Sequence, residues 1–365
     1  MVPCVAIANG AKVSVVQDVP GYNSWPMIQA VGGKLVCAYS RGTGHTIDEG
    51  KRGVFARVSD DGGATWLDEV CVADDPSVGE VTIGKGLDAD GAMLLWVRRW
   101  GAKKGHDLYR TLDGIRFEKI STPSLSPMPM QITDVFAVGN GLMCLWFATG
   151  YSTNLCNSSW GTLFSADNGR SWKQTAVESN MPLAELPTEP SAVNLGGGRL
   201  LAIARSEKCG RGCQFQLAST DDGMTWKREA TNIRDVLDST PSLIYDARTK
   251  TVYNYYYQRG AKKLRRRVAS VDSVFTNPCA WPESEVIFEG SEEGTYNAGN
   301  ANAVASGGRH FIALYSGSDR ATSVFVVVPS SRIEGLSQKC RGQVHFDGLF
   351  FSRKNGDSGK MGHSF

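Results

Sequence analysis

The stretch SDDGGATW, Ser59 to Trp66, returns as SADNGRSW at Ser165 to Trp172 and as STDDGMTW at Ser219 to Trp226. Serine and aspartate side chains in such a stretch accept hydrogen bonds from the backbone N–H groups of a tight turn. Glycine takes conformations there that cost other residues more. The closing tryptophan suits packing between neighbouring units. Three copies of one turn imply a structural unit repeated along the chain. The copies therefore read as folding devices and not as reagents.

The aromatic markers give the period. Trp66 to Phe117 is 51 residues, Phe117 to Trp172 is 55, Trp172 to Trp226 is 54 and Trp226 to Trp281 is 55. Phe117 closes a degenerate copy, TLDGIRF, and Trp281 a more eroded one in NPCAW. A period in this range with several short strands per unit is the pattern of a β-propeller. In the unit that holds Glu189, EPSAVNL alternates, GGG turns and RLLAIAR is apolar. A polar loop, SEKCGRG, follows, CQFQLAS alternates, and the repeated turn then leads into a fourth strand. WPMIQAV-GG-KLVCAYS and ANAVAS-GG-RHFIALYS have the same layout. The last unit begins near Asn300 and takes VFVVV as its third strand, and KVSVVQ (Lys12 to Gln17) can supply its fourth. The expected fold is all-β: a six-bladed propeller of residues 1–338 with four antiparallel strands per blade, closed by the N-terminal strand. Residues 339–365 are expected to be a C-terminal extension.

Composition narrows the function classes. A formal net charge of +2 over 365 residues gives no global reason to expect nucleic acid or an anionic membrane as partner. No apolar run reaches membrane-spanning length. The start, MVPCVAIANG, lacks the basic n-region and apolar stretch of a secretory signal, so folding in a cytoplasm is expected. Nine scattered cysteines do not read as a disulfide framework. Cys209 and Cys213 are half a metal site with no second pair at ligand spacing, so neither metal nor cofactor is expected.

Strand parity locates the chemistry. If the repeated turn joins strands three and four, then strand one starts, and strand two ends, at the opposite end of each unit. Second strands end in Arg41, in Arg98 with Arg99, in Arg205 and in Arg259, the last two one period apart. Guanidinium groups converging from neighbouring units suit a carboxylate, which their planar fork binds bidentately. Glu189 starts the first strand of the unit that holds Arg205, and the loop RGTGHTIDEGKRG brings His45, Asp48 and Glu49 to the same end. Carboxylates on either side of an anion site suit general acid and base roles in glycoside cleavage. The alternative reading of each is ordinary surface pairing.

These residues resemble the sialidase superfamily. The repeated turns match its Asp-box, S-x-D-x-G-x-[ST]-W, and TEPSAVNLGGGRLLAIARSE resembles the segment that carries a supporting glutamate and the second arginine of an arginine triad. The resemblance implies those roles for Glu189 and Arg205 and the third arginine's role for Arg259. Two departures stand out. Ser24-Trp25-Pro26 replaces the R-I-P motif that opens the first blade of exosialidases, which leaves Arg41 as a substitute cation. The place of their nucleophilic tyrosine falls near Asn300, with Tyr296 four residues earlier. In these departures the chain is similar to bacteriophage endosialidases, which place aromatic residues and a histidine around the site, as Tyr22, Trp25 and His45 are placed here.

The implied function is a glycosidase for α-linked sialic acid, endo-acting on polysialic acid. Arg205, Arg259 and Arg41 would hold the carboxylate beside Asn300, and Trp25 and Tyr22 would pack on sugar faces. Glu189 would activate water or assist Tyr296, and Asp48 or His45 would protonate the leaving oxygen. The basic run Lys262 to Arg267 would offer a polyanion contact. As a phage tail component the protein would be a homo-oligomer acting outside the cell. Alternatives are an exosialidase with an atypical site, a binding-only propeller, or a glycosidase or lyase for another acidic glycan.

Overall fold

The structure, a computed structural model, describes residues 10–45, 52–150, 157–207 and 210–330. Each repeat folds as an antiparallel meander. The first comprises strands Tyr22–Val31, Lys34–Gly42, Gly53–Ser59 and Val70–Ala73, and the next Val78–Leu87, Met93–Gly101, Gly105–Thr111 and Glu118–Ser121. In the third, Gln131–Ile132 and Phe136–Val138 together pair with Gly141–Ala148, followed by Ser158–Ser165 and Lys173–Met181. Then come Thr188–Gly196, Arg199–Arg205, Phe215–Ser219 and Lys227–Ala230, and after them Pro241–Asp246, Thr251–Gln258, Lys263–Ser270 and Glu285–Glu289. The last repeat has Ala298–Ser306, Arg309–Gly317 and Thr322–Val328, and Lys12–Gln17 adds its outer strand in antiparallel register, Lys12 opposite Val328.

Inner strands of successive repeats touch, and Ala298–Ser306 returns to Tyr22–Val31, so the chain closes a ring around an axis. The all-β propeller is thus present. Six separate sheets, however, are not: among the described residues hydrogen bonding forms five. One parallel pair, Tyr22 with Thr322, joins the first and last repeats into an eight-stranded sheet. The compact unit of the described chain ends at Ser330, and the boundary expected at 338 lies outside the described residues.

Second strands are apolar on both faces because they lie inside each sheet and between neighbouring sheets. Met93 to Val97 and Leu200 to Ala204 are all completely buried. The core is therefore divided among the interfaces between repeats. In one of them Leu94 and Trp96 pack with Leu142, Cys144 and Trp146, and Trp172 closes on Trp96 at 5.3 Å between ring centroids. Side chains of inner strands also clasp the next strand's backbone: Leu243 N donates to Ser191 Oγ (3.0 Å), Ala303 N to Ser242 Oγ (2.8 Å) and Ile28 N to Asn302 Oδ1 (2.9 Å).

The opening motif forms the turn its composition predicts. Gly63 N donates to Ser59 Oγ (2.8 Å), and Asp61 accepts from Ala64 N, Thr65 N and the Thr65 hydroxyl. Ser165 with Asp167 and Ser219 with Asp221 repeat this set. The Thr65 hydroxyl and amide, with the Ser59 hydroxyl, hold the Asp61 carboxyl well below its ordinary value. All three turns lie at one end of the ring, away from every residue that lines the main cavity.

Candidate active site

At the other end, a second backbone device recurs. Ser24 pairs with Ser40 and Met27 with Ala38, which leaves Trp25 and Pro26 as a bulge. Thr188 with Arg205 and Ser191 with Ile203 leave Glu189 and Pro190, and Gly299 with Tyr315 and Asn302 with Ala313 leave Asn300 and Ala301. In each bulge the first residue is left-handed: φ is 50° at Trp25, 47° at Glu189 and 46° at Asn300. Such a conformation costs a non-glycine residue about 1–3 kcal/mol and persists where surrounding structure holds it. A bulge re-aims side chains. All three of these line one cavity of about 450 Å³ at the ring's mouth. Gly299 takes φ 120°, and a Cβ there would stand 3.1 Å from Arg259 Nε, so glycine lets the arginine pass.

One wall of the cavity is charged. Arg205 Nη1 donates to Glu189 Oε2 at 2.7 Å and Nη2 to Glu207 at 3.1 Å, and Nη2 lies 4.0 Å from Asp238. Thr240 Oγ1 donates to the same Glu189 oxygen at 2.9 Å. Arg259, 5% exposed, is held by three acceptors: Ala298 O from Nε (3.0 Å), Asp238 O from Nη1 (2.8 Å) and Asn300 Oδ1 from Nη2 (2.9 Å). Each terminal nitrogen still has a second N–H. Burial pushes the Glu189 carboxyl up, but Arg205 and Arg259 outweigh it and hold it below its ordinary value. At Glu207 burial prevails and the carboxyl shifts up.

The adjoining wall is aromatic. The His45 ring lies 5.5 Å from Trp25 and 6.0 Å from Tyr296, and its Nδ1 is 3.0 Å from the Tyr22 hydroxyl. Burial, then the charges of Arg259 and Arg52, pull the His45 imidazole down to about 4. It is neutral at neutral pH and a poor proton donor to a leaving group there. Beneath this wall Arg52, 2% exposed, lies 4.7 Å from the Trp25 ring, donates to Ser24 Oγ (3.2 Å) and hydrogen-bonds the Gly44 carbonyl. It therefore ties the His45 loop to the bulge. The remaining lining is mostly apolar, from Met27, Val81, Ile83, Met130 and Phe147 with Thr82 and Gln131 between them, and ends at Trp100, which packs against Arg98 (4.4 Å) and Lys104 (4.2 Å).

The structure thus brings Trp25, His45, Glu189, Arg205, Arg259, Tyr296 and Asn300 together, with Tyr22 immediately behind His45. Arg41 does not join them. It pairs with Glu69 at 2.8 Å and lies over Phe55 at 4.0 Å, because Ser40 holds the register position of Arg205 and Arg41, one residue on, faces the other side of the strand. Asp48 and Glu49 lie outside the described residues. In the basic run Lys263 pairs with Glu289, Arg265 and Arg267 with Asp235, and Arg266 with Glu285, so these charges are spent within the sheet.

Sequence reasoning missed Asp238, Thr240, Glu207 and Arg52. The first two had a signal, since they lie just before the first strand of a repeat, close to the place that Glu189 takes at the start of its own. Arg52 had none, because the site needs its stem and charge beneath an indole rather than at a strand end. Among the described residues no group of three or more His, Cys, Asp or Glu side chains can hold a metal.

No curated protein matches the chain at the level of sequence. Among solved structures it is similar to a Dyadobacter fermentans protein of unknown function, with TM-score 0.69 and 16% identity over 90% of this chain and 99% of that one. It is also similar to the phage phi92 endosialidase, with TM-score 0.66 and 10% identity over 95% of this chain and 71% of that one. Trypanosoma rangeli sialidase with 2,3-difluorosialic acid as a covalent intermediate gives TM-score 0.62 and 12% identity, and this chain spans 59% of it. The family model described as a BNR repeat-like domain matches residues 33–298. With that span matched, the chain belongs to the BNR repeat-like domain family, and its propeller fold is similar to that of the phage endosialidase and the T. rangeli sialidase.

Proposed function

We propose that the protein is a glycoside hydrolase that cleaves α-linked sialic acid, acting within polysialic acid. The carrying observation is the convergence of Glu189, Arg205 and Arg259 from two successive repeats on one cavity whose adjoining wall is Trp25 and His45. Arg259 supplies positive charge and a hydrogen-bond donor for the sugar carboxylate, Arg205 adds positive charge beside it, and Trp25 packs on the ring face. Glu189 keeps Arg205 in place. The phi92 protein is an endosialidase and the T. rangeli protein a sialidase, and the endo reading is supported by Trp25 in the first bulge and by the cationic edge of Arg98 and Lys104 around Trp100. On this reading the eight-stranded sheet is two blades joined at one pair, which makes six.

A second reading, a propeller that binds sialic acid without turnover, draws on the engagement of Arg205 by two glutamates. Incubation with a fluorogenic monosialoside, with polysialic acid and with other acidic glycans separates the two. Shortening of the polymer without monosialoside cleavage supports endo action. Binding with no cleavage of any substrate sinks the hydrolase reading, and cleavage of a non-sialylated acidic glycan alone reassigns the substrate.

A further inference from the structure

The acid that faces Tyr296 is not the one its neighbours lead one to expect. Its hydroxyl donates to Asp238 Oδ2 at 3.1 Å. Glu189 is committed elsewhere, since its Oε2 accepts from both Arg205 and Thr240. Asp238 is held firmly: its backbone is left-handed (φ 45°), its carbonyl accepts from Arg259, and its side chain is 5% exposed. Tyr296 is held just as firmly, because the Tyr315 hydroxyl donates to its carbonyl at 3.0 Å and the Tyr22 hydroxyl lies 3.3 Å from the same oxygen. The Arg259 guanidinium lies 5.4 Å from the Tyr296 ring centre, where its charge favours a developing phenolate. Asn300, in the bulge position that corresponds to Glu189, spends its amide oxygen on Arg259.

We infer that Asp238, rather than Glu189, is the catalytic carboxylate that takes the Tyr296 proton while Tyr296 attacks the sugar. The inference rests on the hydrolase reading above. In the first step Tyr296 Oη forms a bond to the anomeric carbon and its proton passes to Asp238. The glycosidic C–O bond breaks with its electron pair on the aglycone oxygen, which takes a proton from solvent water. In the second step water attacks the anomeric carbon and releases a proton to solvent, and the bond to Tyr296 breaks. Tyr296 then recovers its proton from Asp238. Glu189 is a positioning residue that acts through Arg205.

The test is covalent labelling of the whole protein with an oligosialic acid whose reducing-end residue is 2,3-difluorosialic acid, whose fluoride leaves without a proton, read by peptide mass spectrometry. The expected adduct is on Tyr296. Asp238→Asn, which keeps the backbone carbonyl that binds Arg259, lowers the maximal labelling rate about 100-fold or more, and Asp238→Glu recovers part of it. Glu189→Gln instead raises the half-saturating probe concentration and keeps the maximal rate within about 10-fold. Wild-type labelling rates in a folded Asp238→Asn protein overturn the inference, as does a maximal rate lost in Glu189→Gln and kept in Asp238→Asn. Turnover of sialosides with no label on Tyr296 also overturns it and leaves the hydrolase reading standing. Neither turnover nor binding of any sialoside removes that reading, and this inference with it.

Discussion

The two ends of each repeat use repetition in opposite ways. At the turn end backbone and side chains recur together: Ser59, Ser165 and Ser219 make the same bond to a glycine amide, and Asp61, Asp167 and Asp221 cap the same turn. At the mouth end only the backbone recurs. Three bulges share a register break and a left-handed residue, yet that residue is a tryptophan, a glutamate and an asparagine. Where a side chain is needed to satisfy the backbone, the ring keeps it constant. Where the backbone serves to aim a side chain, its identity is free to take up chemistry.

The sharpest attack on this contrast is at Arg259. Arg259→Ala removes the bonds to Ala298, Asp238 and Asn300, and kcat/KM for sialosides is expected to fall about 10³-fold. Unchanged kinetics would make the mouth end structural, like the turn end. Next in size is a paired comparison. Glu189→Gln lowers kcat/KM about 10²-fold with little change in Tm, whereas Ser219→Ala leaves kcat/KM unchanged and costs about 1–2 kcal/mol of stability, read by denaturant or thermal unfolding. A loss of activity in Ser219→Ala without a loss of stability would break the division between the ends.

Acid titration probes the mouth through His45. The folded protein keeps this imidazole neutral down to about 4, while an unfolded chain takes up the proton below about 6.5. Stability therefore falls as pH drops from 6.5 to 4, by up to roughly 3 kcal/mol for this one group. His45→Gln is expected to flatten that part of the Tm profile, and an unaltered slope would mean that His45 titrates normally. The turn-end aspartates behave differently. Their carboxyls are depressed, so their contribution is full above the ordinary carboxylate value of about 4 and is lost only below it. The smallest expected effect is at the mouth's edge. Lys104→Ala raises KM for polysialic acid about 2-fold to 3-fold at low salt and leaves it unchanged near 0.5 M salt, where the charge is screened. An equal change for a monosialoside would place Lys104 beside the first sugar instead.

What could be read in advance follows from the same contrast. The period, the meander, the N-terminal closing strand and the placement of Glu189, Arg205 and Arg259 all derive from spacing, because side chains that satisfy backbone must recur where the backbone recurs. The bulges have no such signature: nothing in Ser24-Trp25-Pro26 and Thr188-Glu189-Pro190 except the shared proline marks two residues set opposite one. Arg41 stands one residue beyond the register position of Arg205, which Ser40 takes in the first repeat, so its side chain faces the other side of the strand and meets Glu69, 28 residues later. The joining of first and last repeats through one pair, Tyr22 with Thr322, depends on contact across the whole chain.

That joining also sets a schedule for synthesis. Lys12–Gln17 leaves the ribosome early, but its partner Val324–Val328 follows about 310 residues later. At about 5–20 residues per second the first strand waits roughly 15–60 s with its hydrogen-bonding edge unpaired. An open edge of this kind is an invitation to a neighbouring chain. Nascent rings on one messenger are thus at risk of exchanging their closing strands, and the last repeat to be translated is the one that ends the hazard.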